Sequence, residues 1–503
     1  MQESIAGQVV EVAIIGAGFG GLGAGAMLRQ RGIDDFVILE RNPKVGGTWY
    51  ENSYPGCQCD VQSDLYSFSF APNPDWSRTY SPQSEIQQYL HSVAENHDLL
   101  PKIRFGCSVQ EARWDAASSR WRIDTNRGLV QARFLILAHG AMSAPAYPDI
   151  EGLDEFGGEV LHSARWDHAV EFSGKRVGVI GTGASAIQIV PALQPLAKQM
   201  SVFQRTPAWI VPRYDQEISD WTKKLYRSVP LLQRLSRWRQ YWEREFLVPP
   251  LVYSPMWAKW VERWARRHLH KQVKDVALRA RLRPQYRIGC KRILLSNDFY
   301  PAMQQPNVEL VTDSIQRVTR DGVQTADGRH HQLDALVLAT GFRVADHPFW
   351  SSVVGAKGET LAETWSDGAA AYLGISVPNF PNMFLLAGPN TGIGHTSLVF
   401  MLEAQVRYAL SAMQWMKTNG TDVMQVTPEA CSEFTAEIQR RSTSTTWAGG
   451  SCHSWYLDAQ GRNSTIWPGF TLEYWWRTRS FNPALYSSAV AASEVVESSR
   501  KAA

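Results

Sequence analysis

The hydrophobic and polar pattern of the first 40 residues predicts a strand, a tight turn, a helix and a second strand. Residues 9–15 form a β-branched apolar run, residues 22–30 are rich in helix formers, and residues 36–40 form a second apolar run that ends in an acid. The turn between the first strand and the helix contains Gly16, Gly18 and Gly21. This order of elements is typical of a βαβ unit.

The glycine spacing in this unit is G-x-G-x-x-G, and Glu40 follows Gly16 by 24 residues. In a dinucleotide fold, the first glycine forms the turn, the second lets the backbone approach a pyrophosphate, and the third lets helix and strand pack closely. The acid at the end of the second strand can accept hydrogen bonds from ribose hydroxyls. The pattern therefore predicts a nucleotide site for a non-phosphorylated ribose, of the FAD type, although a glycine-rich packing turn is the alternative.

The same order recurs further along the chain, with a strand at 175–180, a turn at 181–186, a helix at 187–199 and a strand at 201–206. Counting 24 residues from Gly181 reaches Arg205, with Thr206 beside it. An arginine at this position can bind a 2′-phosphate that a carboxylate would repel. The second unit is therefore predicted to be NADP-like, the alternative being a solvated arginine at a strand end.

Two further apolar strands, at 134–138 and 335–339, indicate where the chain leaves and re-enters each nucleotide domain. The fold predicted is α/β, with two dinucleotide-binding Rossmann-like domains and a helical insert. The predicted division is an FAD-binding domain at 1–152 and 345–503, an NADP-binding domain at 153–213 and 290–344, and a helical insert at 214–289. Within the last part, the Ser/Thr/Gly-rich segment at 442–464 is predicted to be a mobile loop.

The insert has tryptophans at helical spacing among lysines and arginines, namely Trp238 and Trp242, then Trp257, Trp260 and Trp264. This spacing predicts amphipathic helices. A membrane-surface or nucleic-acid face is possible from such a pattern. We favour a subdomain that packs its tryptophans inward and solvates its charges.

Composition narrows the class of protein. The 503 residues are 44% hydrophobic and 20% charged, and this composition excludes a disordered, collagen-like or coiled-coil chain. The net charge of +3 is too small to indicate binding to nucleic acid or to a membrane. Six cysteines without a CxxC pair predict neither a metal site nor a disulfide framework, and favour a reduced, cytoplasmic setting. The first residues do not resemble a signal peptide.

Two dinucleotide units describe a two-dinucleotide flavoprotein, and a disulfide reductase is excluded because its redox cysteine pair is missing. The segment between the units matches F-x-G-x-x-x-H-x-x-x-W-[PD] through Phe156, Gly158, His162, Trp166 and Asp167. This is the fingerprint of the type I Baeyer–Villiger monooxygenases, which the sequence also resembles at 46–49, 54–56, 59–61, 291–292 and 339–341. The resemblance covers nearly the whole chain. His139 departs from it, since many relatives carry threonine there.

The resemblance implies bound FAD, NADPH as hydride donor, and O2 and a small-molecule ketone as substrates. In that family, reduced flavin and oxygen give a peroxide anion that attacks the ketone, and rearrangement yields an ester or lactone. Arg292 carries over as the catalytic cation that stabilises anionic species, Asp60 as its partner near the flavin, and Lys291 as a 2′-phosphate ligand beside Arg205 and Thr206. An interdomain salt bridge is the alternative for Asp60 and Arg292.

The remaining candidate residues are assigned by position. We interpret His162 and Trp166 as conformational residues of the linker, His395 as structural, and Trp455 as a lid residue over NADP. The predicted cofactor contacts are Gly16, Gly18, Phe19, Gly21, Glu40, Gly47, Thr48, Trp49, Asp60, Tyr66, Val109, Gly181, Thr182, Gly183, Ala184, Ser185, Ala186, Gln188, Arg205, Thr206, Lys291 and Trp455.

Two other functions stay open at this point. A flavin monooxygenase that oxygenates amines or sulfides uses the same two nucleotide sites, and a non-oxygenating NADPH oxidase or redox sensor needs only flavin and NADPH. Asp60, Arg292 and Asp167 favour the ketone-oxidising enzyme. No nucleic acid and no integral membrane segment are expected as partners, and the sequence leaves the choice between monomer and homo-oligomer open.

Overall fold

The computed structural model of the protein describes residues 7–447, 454–458 and 460–489. In these residues the strands are β1 (Gln8–Ile15), β2 (Phe36–Leu39), β3 (Ile103–Arg104), β4 (Val109–Asp115), β5 (Arg120–Thr125), β6 (Gly128–Leu137), β7 (Glu159–His162), β8 (Arg176–Ile180), β9 (Gln199–Phe203), β10 (Ile210–Val211), β11 (Leu294–Leu295), β12 (Val308–Val311), β13 (Ile315–Thr319), β14 (Gly322–Thr325), β15 (His330–Gln332), β16 (Ala335–Leu338), β17 (Val353–Val354), β18 (Met383–Leu385), β19 (Val423–Val426) and β20 (Tyr486–Ala489).

The α-helices of the same residues are α1 (Phe19–Gln30), α2 (Thr48–Glu51), α3 (Gln83–Asn96), α4 (Ala186–Leu193), α5 (Asp220–Ser228), α6 (Pro230–Glu245), α7 (Pro255–Gln272), α8 (Val276–Arg281), α9 (Phe299–Ala302), α10 (Leu361–Thr364), α11 (Leu398–Thr418), α12 (Pro428–Ser442) and α13 (Thr471–Thr478). Short 3-10 helices lie at Leu100–Lys102, Leu153–Glu155, Pro348–Ser352 and Pro483–Leu485, and a π-helical turn at Pro249–Tyr253 joins α6 to α7.

The first large sheet has the strand order β17-β4-β5-β6-β1-β2-β3, with β18 also paired to β6. Strand β1 lies parallel to both β2 and β6, as a dinucleotide fold requires. Its inner residues Val12 and Ile14 are fully buried, and α1 packs between this sheet and α11. The strands β17 and β18 come from the C-terminal half of the chain, so both halves of the chain contribute strands to the first sheet.

The second large sheet has the order β12-β9-β8-β16-β7, and all of its pairings are parallel. Helix α4 follows β8 and ends at Leu193, so the predicted helix over 187–199 is too long. Pro195, which has no N–H to donate, follows this end, and β9 already begins at Gln199. The glycine turns of both sheets therefore lie at the carboxyl ends of β1 and β8, where open α/β sheets bind ligands.

The helices α5 to α8 form the insert, and the prediction that its tryptophans pack inward is wrong. Trp238, Trp257, Trp260 and Trp264 are exposed, and Trp242 alone of the five is partly buried against the core. The buried positions of α7 are filled instead by smaller residues such as Ala258 and Ala265. Four of the five tryptophans of the insert therefore lie at the surface.

Candidate active site

The first glycine turn leaves no room for a side chain at its first and third glycines. Gly16 has a φ of +104°, and a Cβ there would lie 2.6 Å from the carbonyl oxygen of Ala138. A Cβ on Gly21 would lie 1.8 Å from the carbonyl oxygen of Gly16, so helix and strand touch at this point. Gly18 faces Gly47, and a Cβ added to Gly18 would lie 3.4 Å from the Gly47 Cα. These contacts fit the roles that a dinucleotide turn needs from its first and third glycines.

Glu40 lies directly after β2 and is buried. One carboxylate oxygen accepts a hydrogen bond from the Ala17 N–H at 2.7 Å, and the other accepts from the Asn42 N–H at 2.8 Å. Burial raises the pKa of Glu40, and these two N–H groups oppose the rise. The carboxylate is thus fixed beside the turn, at the position from which it can reach a ribose.

Three aromatic residues next to the turn contact one another. The Trp49 indole N–H donates to the Tyr66 hydroxyl at 3.1 Å, and the Phe19 and Tyr66 rings meet edge to face at 5.1 Å. Burial raises the pKa of Tyr66 well above its usual range, so the phenol stays neutral. Thr48, Trp49 and Tyr66 all line the large cavity between the two sheets. Val109, another predicted contact, begins β4 and is not one of the lining residues.

The second turn begins at Gly181, where a Cβ would lie 2.5 Å from the carbonyl oxygen of Ala339. Gly183 differs because a Cβ there meets nothing within 4 Å, which leaves open space on its backbone. The Thr182 hydroxyl donates to the carbonyl oxygen of Thr206 at 2.9 Å and so joins the turn to the end of β9. Ala186 is fully buried under the turn, while Ala184 and Ser185 line the cavity.

Gln188, on α4, connects the two halves of the site. Its amide N–H donates to the carbonyl oxygen of Gln58 at 3.0 Å, and its side-chain oxygen accepts from the Tyr54 hydroxyl at 2.9 Å. A Cβ on Gly56 would lie 2.7 Å from the Gln188 carbonyl oxygen. The 54–58 segment therefore rests directly on α4.

Arg205 and Lys291, 86 positions apart in the chain, lie close enough for their charges to interact. Burial lowers the pKa of Lys291, and the charge of Arg205 lowers it further. The Lys291 ammonium also lies 5.3 Å from the centre of the Tyr286 ring. Neither cation forms an ion pair within the described part of the chain, so the two create a local positive potential suited to an anion such as a 2′-phosphate.

Asp60 and Arg292 form the charged centre of the cavity. The Arg292 Nε and Nη2 donate to one oxygen of Asp60 at 2.8 and 2.6 Å. Burial alone would raise the pKa of Asp60, but the adjacent Arg292 holds it below its usual value. The charge of Asp60 in turn raises the pKa of Arg292, so the guanidinium keeps its proton at any working pH. About a third of each side chain is exposed, and both line the cavity.

Two further arginines, which sequence reasoning missed, hold the segment that carries Asp60. The Arg244 Nη2 donates to the Asp60 carbonyl oxygen at 3.2 Å, and Nε donates to Gln62 at 2.7 Å. The Arg213 Nη2 donates to the Cys59 carbonyl oxygen at 3.1 Å, and its guanidinium lies 4.8 Å from the centre of the Tyr80 ring. Both arginines come from the insert or its edge, and no motif in the sequence marks them.

Two histidines of the cavity were also missed. His139 and His347 meet edge to face at 4.9 Å, and His347 Nε2 lies 2.9 Å from the Ser143 hydroxyl. Burial lowers the pKa of His139 to about 3 and that of His347 to about 4. Both rings are therefore neutral at physiological pH. In the sequence, the departure of His139 from the family pattern is the one signal that marks this histidine as a candidate site residue.

Trp455 and Tyr456 lie across the cavity from the sheets. Trp455 lines the cavity with 46% of its surface exposed, and the buried Tyr456 packs against it at 4.6 Å. Burial raises the pKa of Tyr456 to about 12, opposed by the charge of Arg292. Part of the predicted mobile loop at 442–464 lies outside the described residues.

The fingerprint residues pack into the second domain rather than into the cavity. Phe156 is buried, and a Cβ on Gly158 would lie 2.4 Å from the Asp334 carbonyl oxygen. His162 ends β7 and is buried, and its Nδ1 accepts from the Ala164 N–H at 3.1 Å. Trp166 stacks on Phe172 at 5.6 Å, and Asp167 accepts from the Ala169 N–H at 2.8 Å.

His395 does not line the cavity. Its Nε2 lies 3.3 Å from a carboxylate oxygen of the buried Glu245 on α6. It therefore joins the insert to the first domain.

Among the described residues, the two cysteines that line the cavity form no redox pair. Cys57 and Cys59 are free and buried, and burial raises the pKa of Cys57 to about 12. Cys290 is disulfide-bonded, whereas Cys107 and Cys431 are free. A buried, protonated Cys57 is unsuited to thiolate chemistry.

Comparison with known proteins agrees with this geometry. Residues 13–233 match the family model described as pyridine nucleotide-disulphide oxidoreductase. A Baeyer–Villiger monooxygenase of Streptomyces coelicolor is 48% identical over 95% of this chain and 92% of its own length, and one from Pseudomonas aeruginosa is 43% identical over 95% and 91%. The chain belongs to the Baeyer–Villiger monooxygenase family.

Solved structures show the same likeness. A steroid monooxygenase bound to NADP is 31% identical, covers 96% of this chain and all of its own, and has a TM-score of 0.83. A closed cyclohexanone monooxygenase is 27% identical over 96% and 100% of the two chains, with a TM-score of 0.85. The predicted family and the fold of two Rossmann-like domains are confirmed, and the chain is an NADPH-dependent flavoprotein monooxygenase.

Proposed function

We propose that this protein converts ketones into esters or lactones in the cavity between its two nucleotide domains, with Arg292 and Asp60 as the catalytic pair. The observation that carries the proposal is the position of the pair. It lines the same cavity as Trp49, Tyr66 and Ser185, which come from both nucleotide domains. Bound FAD accepts hydride from NADPH and activates O2 for transfer of one oxygen atom.

The residues present fit both cofactors. We assign FAD to the turn at 16–21, where Gly16 and Gly21 leave no room for a side chain, with Glu40 toward its ribose and Trp49 and Tyr66 toward its ring system. We assign NADPH to the second turn, where Gly183 leaves its backbone open to a pyrophosphate. Arg205 and Lys291 would hold the 2′-phosphate, because each adds a cation that can donate hydrogen bonds to it.

The role of Arg292 follows from its charge and its fixed position. Its guanidinium is held by Asp60 through two hydrogen bonds to a single oxygen, which leaves N–H groups free to face the cavity. A preorganised cation beside the reacting atoms lowers the energy of negative charge that develops on the ketone oxygen. Asp60 orients that cation and also keeps the cavity from carrying an uncompensated charge.

The substrate is proposed to be an apolar ketone, since the cavity wall includes Leu295, Phe342, Trp350, Ile393 and Leu398. These side chains offer contact area but few hydrogen bonds, so they favour hydrocarbon groups around the carbonyl.

A cytoplasmic location is also proposed; it is supported by the need for NADPH.

Product analysis tests the function. The purified flavoprotein, NADPH and air would be incubated with cyclic, linear and aryl ketones and with one thioether, and the products identified by mass spectrometry. Esters or lactones with one added oxygen are expected. Sulfoxide as the sole product would favour the amine- and sulfide-oxygenating alternative, and NADPH consumption without any oxygenated product would favour an oxidase.

A further inference from the structure

Helix α6 docks with its polar side inward. Leu231, Leu235, Trp238 and Phe246 are 61%, 52%, 63% and 73% exposed. On the opposite side of the helix, Gln233 and Gln240 are buried, and the neighbouring Tyr241 is buried as well. A surface helix of a globular protein ordinarily buries its apolar stripe, so this arrangement is inverted.

The inversion is fixed by hydrogen bonds to Asp64. The Gln233 amide donates to one Asp64 oxygen at 3.0 Å, and the Ser236 hydroxyl and Gln240 amide donate to the other at 2.8 and 3.2 Å. Arg237 adds bonds to the backbone carbonyl oxygens of Asp64 and Ser67. Rotating the apolar stripe inward would break all of these bonds, so its exposure is a built feature of the fold.

Exposed apolar side chains also occur in the next part of the insert. Tyr253, which ends the π-helical turn, is exposed, and so are Met256, Trp257 and Trp260 of α7. We call the exposed apolar side chains between Leu231 and Trp260 the aromatic face. Large apolar side chains exposed in this number on two consecutive helices mark an interaction site.

Charge is concentrated around the same surface. Residues 220–283 contain 16 lysines and arginines and 5 acids, a net charge of +11, while the remainder of the chain carries −8. Arg234, Arg239, Lys259 and Arg263 are exposed next to the aromatic face. The partner of this face must therefore combine an apolar interior with a negatively charged surface.

We propose that the aromatic face binds the surface of an anionic lipid bilayer, with its tryptophan, phenylalanine and leucine side chains in the headgroup and upper acyl region. Aromatic and aliphatic residues flanked by lysine and arginine are the composition of interfacial helices. In the described residues, no helix is long and apolar enough to cross a membrane, so the contact would be peripheral.

Two other partners suit the face less well. In a two-fold dimer, a second copy of the chain would bring its own basic 220–283 segment against that of the first, which like charges oppose. A nucleic acid offers bases for stacking and phosphates for the arginines, but it leaves the exposed aliphatic residues Leu231, Leu235 and Met256 without an apolar partner. A bilayer satisfies the aliphatic, aromatic and basic side chains together.

Vesicle co-sedimentation of the holoenzyme tests the proposal independently of ketone oxidation. The vesicles are phosphatidylcholine alone and phosphatidylcholine mixed with phosphatidylglycerol. The variants are an apolar triple (Phe246→Glu, Trp257→Glu and Trp260→Glu), a charge triple (Arg234→Glu, Lys259→Glu and Arg263→Glu), and Leu196→Glu, an exposed leucine on the second domain, as the matched control. Melting temperature and flavin absorbance confirm that each variant is folded.

The wild type and Leu196→Glu are expected to sediment with the anionic vesicles. The apolar triple should lower the partition coefficient by about a thousand-fold or more, because each of its three side chains contributes about ten-fold or more. The charge triple should lower it about a hundred-fold on anionic vesicles, at roughly five-fold per basic residue.

Two results would overturn the proposal. The wild type would fail to bind anionic vesicles, or the apolar triple would bind them as the wild type does. If vesicle binding is absent and the apolar triple abolishes self-association in analytical ultracentrifugation or binding of a single-stranded oligonucleotide, the face belongs to a second copy or to a nucleic acid.

Discussion

Replacing Arg292 with alanine separates oxygen transfer from the steps that precede it. In the structure, Arg292 donates two hydrogen bonds to Asp60 and faces the cavity. It contacts neither glycine turn, and Lys291 is a separate side chain. We therefore expect Arg292→Ala to retain FAD and to be reduced by NADPH at a rate within a few-fold of the wild type, while ester formation falls.

The size of the loss follows from the charge removed. Loss of one preorganised donor to a developing oxyanion typically lowers kcat by about 10²–10³, and Arg292 supplies a full charge rather than a neutral dipole. Stability should fall by only about 1–3 kcal/mol, because about a third of each side chain is exposed and Arg244 and Arg213 still surround the Asp60 segment. Arg292→Lys keeps the charge but loses the planar two-donor geometry, so its rate should be intermediate.

The assay measures ester formed per NADPH consumed, by gas chromatography and by NADPH absorbance in the same reaction. Arg287→Ala, an exposed arginine in the same segment, is the matched control and should couple as well as the wild type. A rate of ester formation by Arg292→Ala within about ten-fold of the wild-type rate would refute the catalytic role. Such a loss is far smaller than the loss expected when an oxyanion donor is removed.

Three other changes have defined outcomes. Arg205→Ala or Lys291→Ala should raise the KM for NADPH by about 10–100-fold, as expected for loss of a charge-assisted hydrogen bond. Steady-state kinetics with NADH should stay unchanged. An equal loss with NADPH and with NADH would contradict the 2′-phosphate assignment. Gly21→Ala should prevent folding or FAD retention, since its Cβ would lie 1.8 Å from a carbonyl oxygen, whereas Gly183→Ala should keep the wild-type melting temperature and weaken NADPH binding alone. Burial lowers the pKa of His139 in the folded protein to about 3. As the pH falls below about 6.5, His139 takes up a proton in the unfolded chain but not in the folded protein, so the free energy of unfolding decreases by up to about 1.4 kcal/mol per pH unit. His139→Thr should flatten this dependence in urea unfolding at pH 7 and pH 5, and an unchanged dependence would assign it to other groups.

The parts of the fold that the sequence could predict are those decided by local sterics. The first glycine turn is an example, because a Cβ on Gly21 would meet the backbone of Gly16 five positions earlier, and Gly16 itself has a positive φ. The helix after the second turn was predicted too long because its apolar pattern continues beyond Leu193, while the chain already turns toward β9.

The parts that could not be predicted depend on contacts between distant segments. Arg213 and Arg244 act on the Asp60 segment from more than 150 positions away, and nothing in their own neighbourhoods marks them. The orientation of α6 is a second case. Its periodicity predicts an amphipathic helix, but the choice of buried side was decided by Asp64, whose hydrogen bonds outweigh the burial of the apolar stripe.

The most direct test of the ketone-oxidising function is the fate of isotopic oxygen. The holoenzyme, NADPH and an apolar cyclic ketone would be incubated under ¹⁸O2, and the lactone fragmented in a mass spectrometer. The account predicts one ¹⁸O atom in the lactone ring beside the former carbonyl carbon, the original carbonyl oxygen retained, and the second ¹⁸O atom in water. Lactone without ¹⁸O, or NADPH consumption with all of the label recovered in peroxide or water, would contradict it.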